Sequence, residues 1–268
     1  MAQVDVVHVA VAPPATFDEE LIKKVAATVG KTHYETRLKL TGKIPKIIAN
    51  YYNVQRAETA AQSLRELGLL VIVISDSELH KPPQLFKARN LKFEERAITF
   101  CDRAGRSKKI EDRDLFLILS GKMQTYTETE VTTSKRKLNV PVTLLLGGIP
   151  IRKTVKEKIT KKSFKNESFI RLYYRMPSEP AVEILQHDFD YSFLGPEMGS
   201  SAANNYGIAV RKIREVFPQA IFDDRLTEPF GADMSASVEQ DAIEANCKLI
   251  YRYHQAVSSA GSLVQPQL

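Results

Sequence analysis

The chain has 268 residues, 43% of them hydrophobic, with 12 Gly, 13 Pro, two Cys and no Trp. That is enough chain to bury a core, and it excludes a collagen, a coiled coil, a disulfide miniprotein and a disordered polymer. Lys and Arg number 38 against 32 Asp and Glu, for a net charge of +6.

That charge is uneven: residues 1–80 hold 9 basic and 9 acidic side chains, residues 81–175 hold 23 and 10, and residues 176–268 hold 6 and 13. Local net charges of 0, +13 and −7 point either to an anion-facing middle or to pairing of the middle with the acidic end. No uncharged apolar run reaches the roughly 20 residues that cross a bilayer. Met1-Ala2-Gln3-Val4-Asp5 lacks the basic start of a secretory leader, and Cys101 and Cys247 form no C-x-x-C pair. The expectation is a cytoplasmic protein with two reduced thiols.

Val4 to Val11 is β-branched and almost uniformly apolar, the pattern of a strand buried on both faces, and Pro13-Pro14 stops it. Thr16-Phe17-Asp18-Glu19 is a capping box opening a helix with Leu21, Ile22, Val25 and Val29 at helical spacing, ended by Gly30. Thr32-His33-Tyr34-Glu35 repeats the device over a shorter helix that Gly42 stops. Ile44 to Tyr52 predicts a short strand. Asn53 caps a helix with Ala57, Ala60, Ala61, Leu64 and Leu67 on one face, Gly68 closes it, and Leu69 to Ile74 is a further strand.

The segment LTGKIPKIIANYYNVQRAETAAQSLRELGLLVIVI, with its Lys-Pro turn and Ala-rich helix running into a last strand, resembles the C-terminal domain of the bacterial ribosomal stalk protein. The resemblance covers about 75 residues. It implies a small α/β module over 1–76 that docks other proteins through its helical face.

Segment 77–90 is polar, carries Pro82-Pro83 and predicts a linker. Beyond it, over 91–268, the period changes to two. Leu91–Glu94, Ala97–Cys101, Leu115–Leu119, Phe169–Tyr174 and Val182–Leu185 read as strands of an antiparallel sheet. A helix follows from Ser200 or Ser201, with Tyr206, Val210, Ile213 and Phe217 on one stripe and Pro218 ending it. Short strands followed by one amphipathic helix, over 88–217, resemble a pleckstrin-homology-type barrel, which implies binding of phosphoinositide headgroups, peptides or proteins rather than catalysis. A last helix opens at Ser237-Val238-Glu239-Gln240. The expected class is therefore α+β: a stalk-like α/β domain, then an antiparallel barrel-like domain with C-terminal helices.

Segment 122–166 departs from a small barrel. Thr, Glu and Val alternate over Thr125–Thr133, Lys135-Arg136-Lys137 follows, and Leu138–Ile151 carries no charge. Its apolar residues include Leu144, Leu145, Leu146 and Ile149. Arg152, Lys153, Lys156, Lys158, Lys161 and Lys162 come next. The pattern predicts a long hairpin with basic arms and an apolar tip. Either the tip folds beneath its own sheet, or it projects and needs a partner to cover side chains that each cost about 1.5–3 kcal/mol when exposed. The partner expected first is a second copy or another protein, then an anionic membrane surface, then nucleic acid or the ribosome, for which the arms offer little aromatic stacking.

The dense polar clusters are His187-Asp188-Phe189-Asp190-Tyr191 and Phe222-Asp223-Asp224-Arg225. Several carboxylates and an imidazole are what a hard cation or an acid/base pair needs, so His187, Asp188 and Asp223 form the rival expectation of a hydrolase or metal site. The simpler reading of the second cluster is a turn carboxylate paired with arginine. No phosphate-binding, dinucleotide, zinc-protease or nucleophile-elbow motif occurs, and no cofactor is called for. The reading that follows is a non-catalytic binding or adaptor protein using the hairpin.

Overall fold

The computed structural model describes residues 5–138, 152–176, 179–228 and 236–262. The chain divides into two compact units, one of Met1–Met123 with Glu167–Leu268 and one of Gln124–Asn166.

In the first unit, β1 (Val7–Val11) is flanked by antiparallel β2 (Lys46–Tyr51) and β3 (Val71–Ser75). All five residues of β1 are buried, because both faces of this sheet are covered. Val7, Val9, Val11 and Val71 pack with Ile22 and Val25 of α1 (Glu19–Val29), Leu40 of α2 (His33–Leu40) and Ala57, Ala61 and Leu64 of α3 (Val54–Glu66). Ala10, Ile72 and Ile74, one residue out of phase, meet Leu249 on the opposite face.

The ends of α1, α2 and α3 follow the capping signals, with one difference. Asp18 rather than Thr16 caps α1, its Oδ1 accepting the Leu21 N–H at 2.8 Å. Gly30 closes that helix in the left-handed region, at φ 64°, where only glycine is unstrained. Thr32 and Glu35 form the reciprocal box on α2, and Asn53 caps α3 through two backbone N–H groups. Residues 77–90 hold most of α4 (Asp76–His80), all of β4 (Leu85–Lys87) and the start of β5 (Asn90–Glu94).

Leu249 belongs to α6 (Ala236–Ser262), which lies between two sheets. Its other stripe, Ile243, Cys247 and Ile250, packs on Leu117 and Leu119 of β8 (Leu115–Leu138), Phe169 of β9 (Arg152–Tyr174) and Leu226 of β11 (Ile221–Leu226). The opposite face of that larger sheet places Ile118, Ile170, Leu172, Val182 and Ile184 against Tyr206, Ala209 and Ile213 of α5 (Ala202–Val216). Leu91, Ile98, Phe100 and Ile110 of a separate meander complete this core, from β5, β6 (Ala97–Cys101) and β7 (Ser107–Glu111).

The α+β class stands, but the barrel does not form. The five-stranded sheet runs β11-β8-β9-β10-β4, with β10 at Ala181–Leu185, and no sheet closes on itself among the described residues. Nor is it antiparallel throughout, since β4 pairs with β10 and β11 with β8 in parallel. In the second unit, the arms of β8 and β9 continue side by side as a two-stranded ribbon.

Candidate functional site

Alternation along β9 sends Phe169, Arg171 and Tyr173 toward α6 while Ile170, Leu172 and Tyr174 join the opposite core. A guanidinium thus enters an apolar layer, where it costs several kcal/mol unless its donors are met. They are met by carboxylates from two elements. Nε donates to Glu183 Oε1 of β10 at 2.9 Å, and Nη1 and Nη2 donate to Glu244 Oε2 and Oε1 of α6 at 2.6 Å each. Phe169 presents its ring 5.1 Å from the guanidinium carbon.

Arg171 and Glu244 of this network line a cavity of about 460 Å³ together with Tyr173, Cys247, Lys81 and Arg252. Burial pushes the Cys247 thiol up to about 12 although Arg171 pulls the other way. The sulfur is therefore a protonated thiol at neutral pH and no nucleophile. Burial also raises the Tyr173 phenol. Lys248 donates to the carbonyls of Glu78 at 2.7 Å, Leu79 at 2.8 Å and Lys81, using all three N–H bonds on the end of α4. Arg252 is tied to Glu78. Arg171, Lys248 and Arg252 are thus committed to internal partners, and those bonds fix α6 against β9, β10 and α4.

The residues of the rival hydrolase reading do not share a site. His187 enters through its backbone N–H, which donates to Glu167 Oε1 at 3.1 Å. Asp188 pairs with Arg89 and, at 2.5 Å, with Arg103. Asp190 accepts from the Ser192 backbone and hydroxyl. Asp223 is paired with Arg225, as the simpler reading had it, but on strand β11 rather than in a turn, and it takes a further 2.7 Å bond from His254 Nε2. Burial alone would raise the Asp223 carboxyl, and the His254 and Arg225 hydrogen bonds override it and hold it far below the usual carboxylate range. Arg225 Nη1 also donates to the Lys43 carbonyl at 2.8 Å. Asp224 accepts backbone and hydroxyl bonds from Thr227 through its carbonyl. Among the described residues no group of three or more His, Cys, Asp or Glu side chains is placed to hold a metal ion.

His8 is a satisfied core histidine, with Nδ1 2.9 Å from Asn50 Oδ1 and Nε2 2.9 Å from Asp76 Oδ1. Ser201 stands at the N-cap of α5 without a side-chain bond. Asn205 instead clasps Gly199, accepting its N–H at 2.7 Å and donating to its carbonyl at 2.9 Å.

Of the hairpin residues, Lys135, Arg136 and Lys137 lie on β8, and Arg152, Lys153, Lys156, Lys158, Lys161 and Lys162 on β9, all within the ribbon unit. Leu144, Leu145, Leu146 and Ile149 lie outside the described residues. Among the described residues no helix is long and apolar enough to cross a membrane. No family model matches the chain, and neither a curated protein nor a solved structure matches it.

Proposed function

We propose that this chain is a non-catalytic binding protein whose contact element is the ribbon of residues 124–166. The observation that carries the reading is the division of the fold: β8 and β9 leave the larger sheet and form a unit of their own. A two-stranded ribbon is marginal in water, and a surface laid against it supplies the second packing layer that stability needs. The titratable groups of the body support the same reading, because Asp188, Asp223, Arg171 and Lys248 are each committed to internal partners. The strand, two helices, strand, helix and strand of residues 7–75 also follow the order of the stalk-protein domain, which suits a second docking module.

Amide hydrogen exchange on the full chain tests this. Amides of 124–138 and 152–166 are expected to gain protection when the protein is concentrated or given its partner surface, while those of β1 and α6 stay unchanged. Ribbon amides that exchange at the unfolded-chain rate in dilute and concentrated protein and with vesicles alike would remove the ribbon as a contact element.

A further inference from the structure

The boundary between the two units is also a boundary of charge. Residues 124–166 carry ten Lys and Arg against Glu128, Glu130 and Glu157, a net +7, whereas the rest of the chain carries 28 basic and 29 acidic side chains, a net −1. Several acidic residues of the C-terminal third are matched inside the body: Glu183 and Glu244 with Arg171, Asp188 with Arg89 and Arg103, Glu197 with Lys212, and Asp223 with Arg225. Glu228 pairs with Lys43 in the same way. The whole positive excess of the protein therefore belongs to the ribbon.

Such an element suits a polyanion better than itself. Two ribbons laid together bring +7 against +7, and like charges across a strand pair are destabilising. The order of the charges then separates one polyanion from another. Lys135, Arg136 and Lys137 on β8 and Arg152 and Lys153 on β9 bracket a stretch of sequence, 138–151, that carries no charge at all. Nucleic acid gives no account of an uncharged, Leu- and Val-rich stretch between basic arms, and the ribbon's aromatic residues are Tyr126 and Phe164 alone, a poor stacking platform. A bilayer does account for it, since basic residues sit at the headgroups and apolar ones at the acyl boundary.

We infer that the ribbon docks on an anionic lipid surface, with Lys135, Arg136, Lys137, Arg152 and Lys153 as its headgroup contacts. This inference rests on the ribbon being the contact element. The test is co-sedimentation of the full chain with phosphatidylcholine vesicles and with phosphatidylserine-containing vesicles, at low and high salt. Lys135→Glu/Arg136→Glu/Lys137→Glu is compared with a body variant of equal charge change, Lys23→Glu/Lys31→Glu/Lys39→Glu, both checked for fold by circular dichroism. Binding is expected to need the anionic lipid, to fade with salt, and to fall about 100-fold or more in the ribbon variant, while the body variant stays close to the parent. Equal binding to neutral vesicles, or equal loss in both variants, overturns the inference. So does no vesicle binding together with ribbon-dependent binding of duplex DNA, or with ribbon-dependent self-association in the ultracentrifuge, and in either case the ribbon remains the contact element. If none of these depends on the ribbon, both readings fall.

Discussion

Arg171 on β9 holds Glu244 on α6 by two parallel hydrogen bonds of 2.6 Å, with the arginine 1% exposed. The pair joins the central strand of the larger sheet to a helix whose other stripe packs on the N-terminal sheet. Since Glu183 shares the same guanidinium, the network sets the register of β9, β10 and α6 at once. Its net stabilisation is small, because burying three charges costs nearly as much as their attraction returns, but its removal piecemeal is expensive.

Arg171→Met leaves Glu183 and Glu244 facing each other without a cation. It is expected to lose about 3–5 kcal/mol in urea unfolding. A triple variant, Arg171→Met with Glu183→Gln and Glu244→Gln, is expected to recover part of that loss. A single variant that costs less than about 1 kcal/mol would mean the carboxylates find water or another cation, and that the junction is held by packing alone.

Gly121 permits the close approach of β8 to β9. A Cβ added there would stand 2.5 Å from Phe169 Cζ and 3.0 Å from Leu226 Cβ, and Phe169 is fully buried. Gly121→Ala is therefore expected to destabilise the body by about 1–3 kcal/mol in thermal unfolding, the usual cost of overpacking. Shortening the ring in Gly121→Ala/Phe169→Leu should return part of the loss, whereas equal loss in the double variant would place the strain in the backbone.

The N-terminal elements are legible in the sequence because their signals are local. Thr32 with Glu35, Asn53 before Val54, and Gly30 and Gly68 at helix ends each act within a turn of the chain. The larger sheet is less legible because its joins are distant: β4 meets β10 across nearly a hundred residues, and β11 meets β8 across a similar span. Parallel pairs of this kind leave no turn signal, so Leu85–Lys87 reads as linker and Phe222-Asp223-Asp224-Arg225 as a turn. The Arg171 network has one visible trace, an arginine within the apolar alternation of Phe169–Tyr174, but its partners Glu183 and Glu244 lie on elements that only the fold brings together.

The two cysteines are expected to differ in reactivity. Cys247 is fully buried, with its thiol pushed up to about 12, whereas Cys101 is half-buried on β6. Titration with a disulfide reagent at mildly alkaline pH should modify Cys101 in the native protein and Cys247 only after denaturation. Fast modification of both in native protein would show that the α6 junction opens on the timescale of the assay.

The Asp223 cluster gives the body a specific acid response. Its carboxyl is held below its unfolded value, so its contribution to stability is fully present above the ordinary carboxylate pKa of about 3.9 and is lost as pH falls through the lower folded value. Protonation then takes the charge from the acceptor that Arg225 and His254 share, and weakens the tie from β11 to α6. Urea unfolding followed from neutral pH down to the acid limit is expected to show falling stability for the parent chain and a shallower fall for Asp223→Asn, the two curves converging in acid. Parallel curves separated by a constant offset would assign the acid sensitivity to other carboxylates.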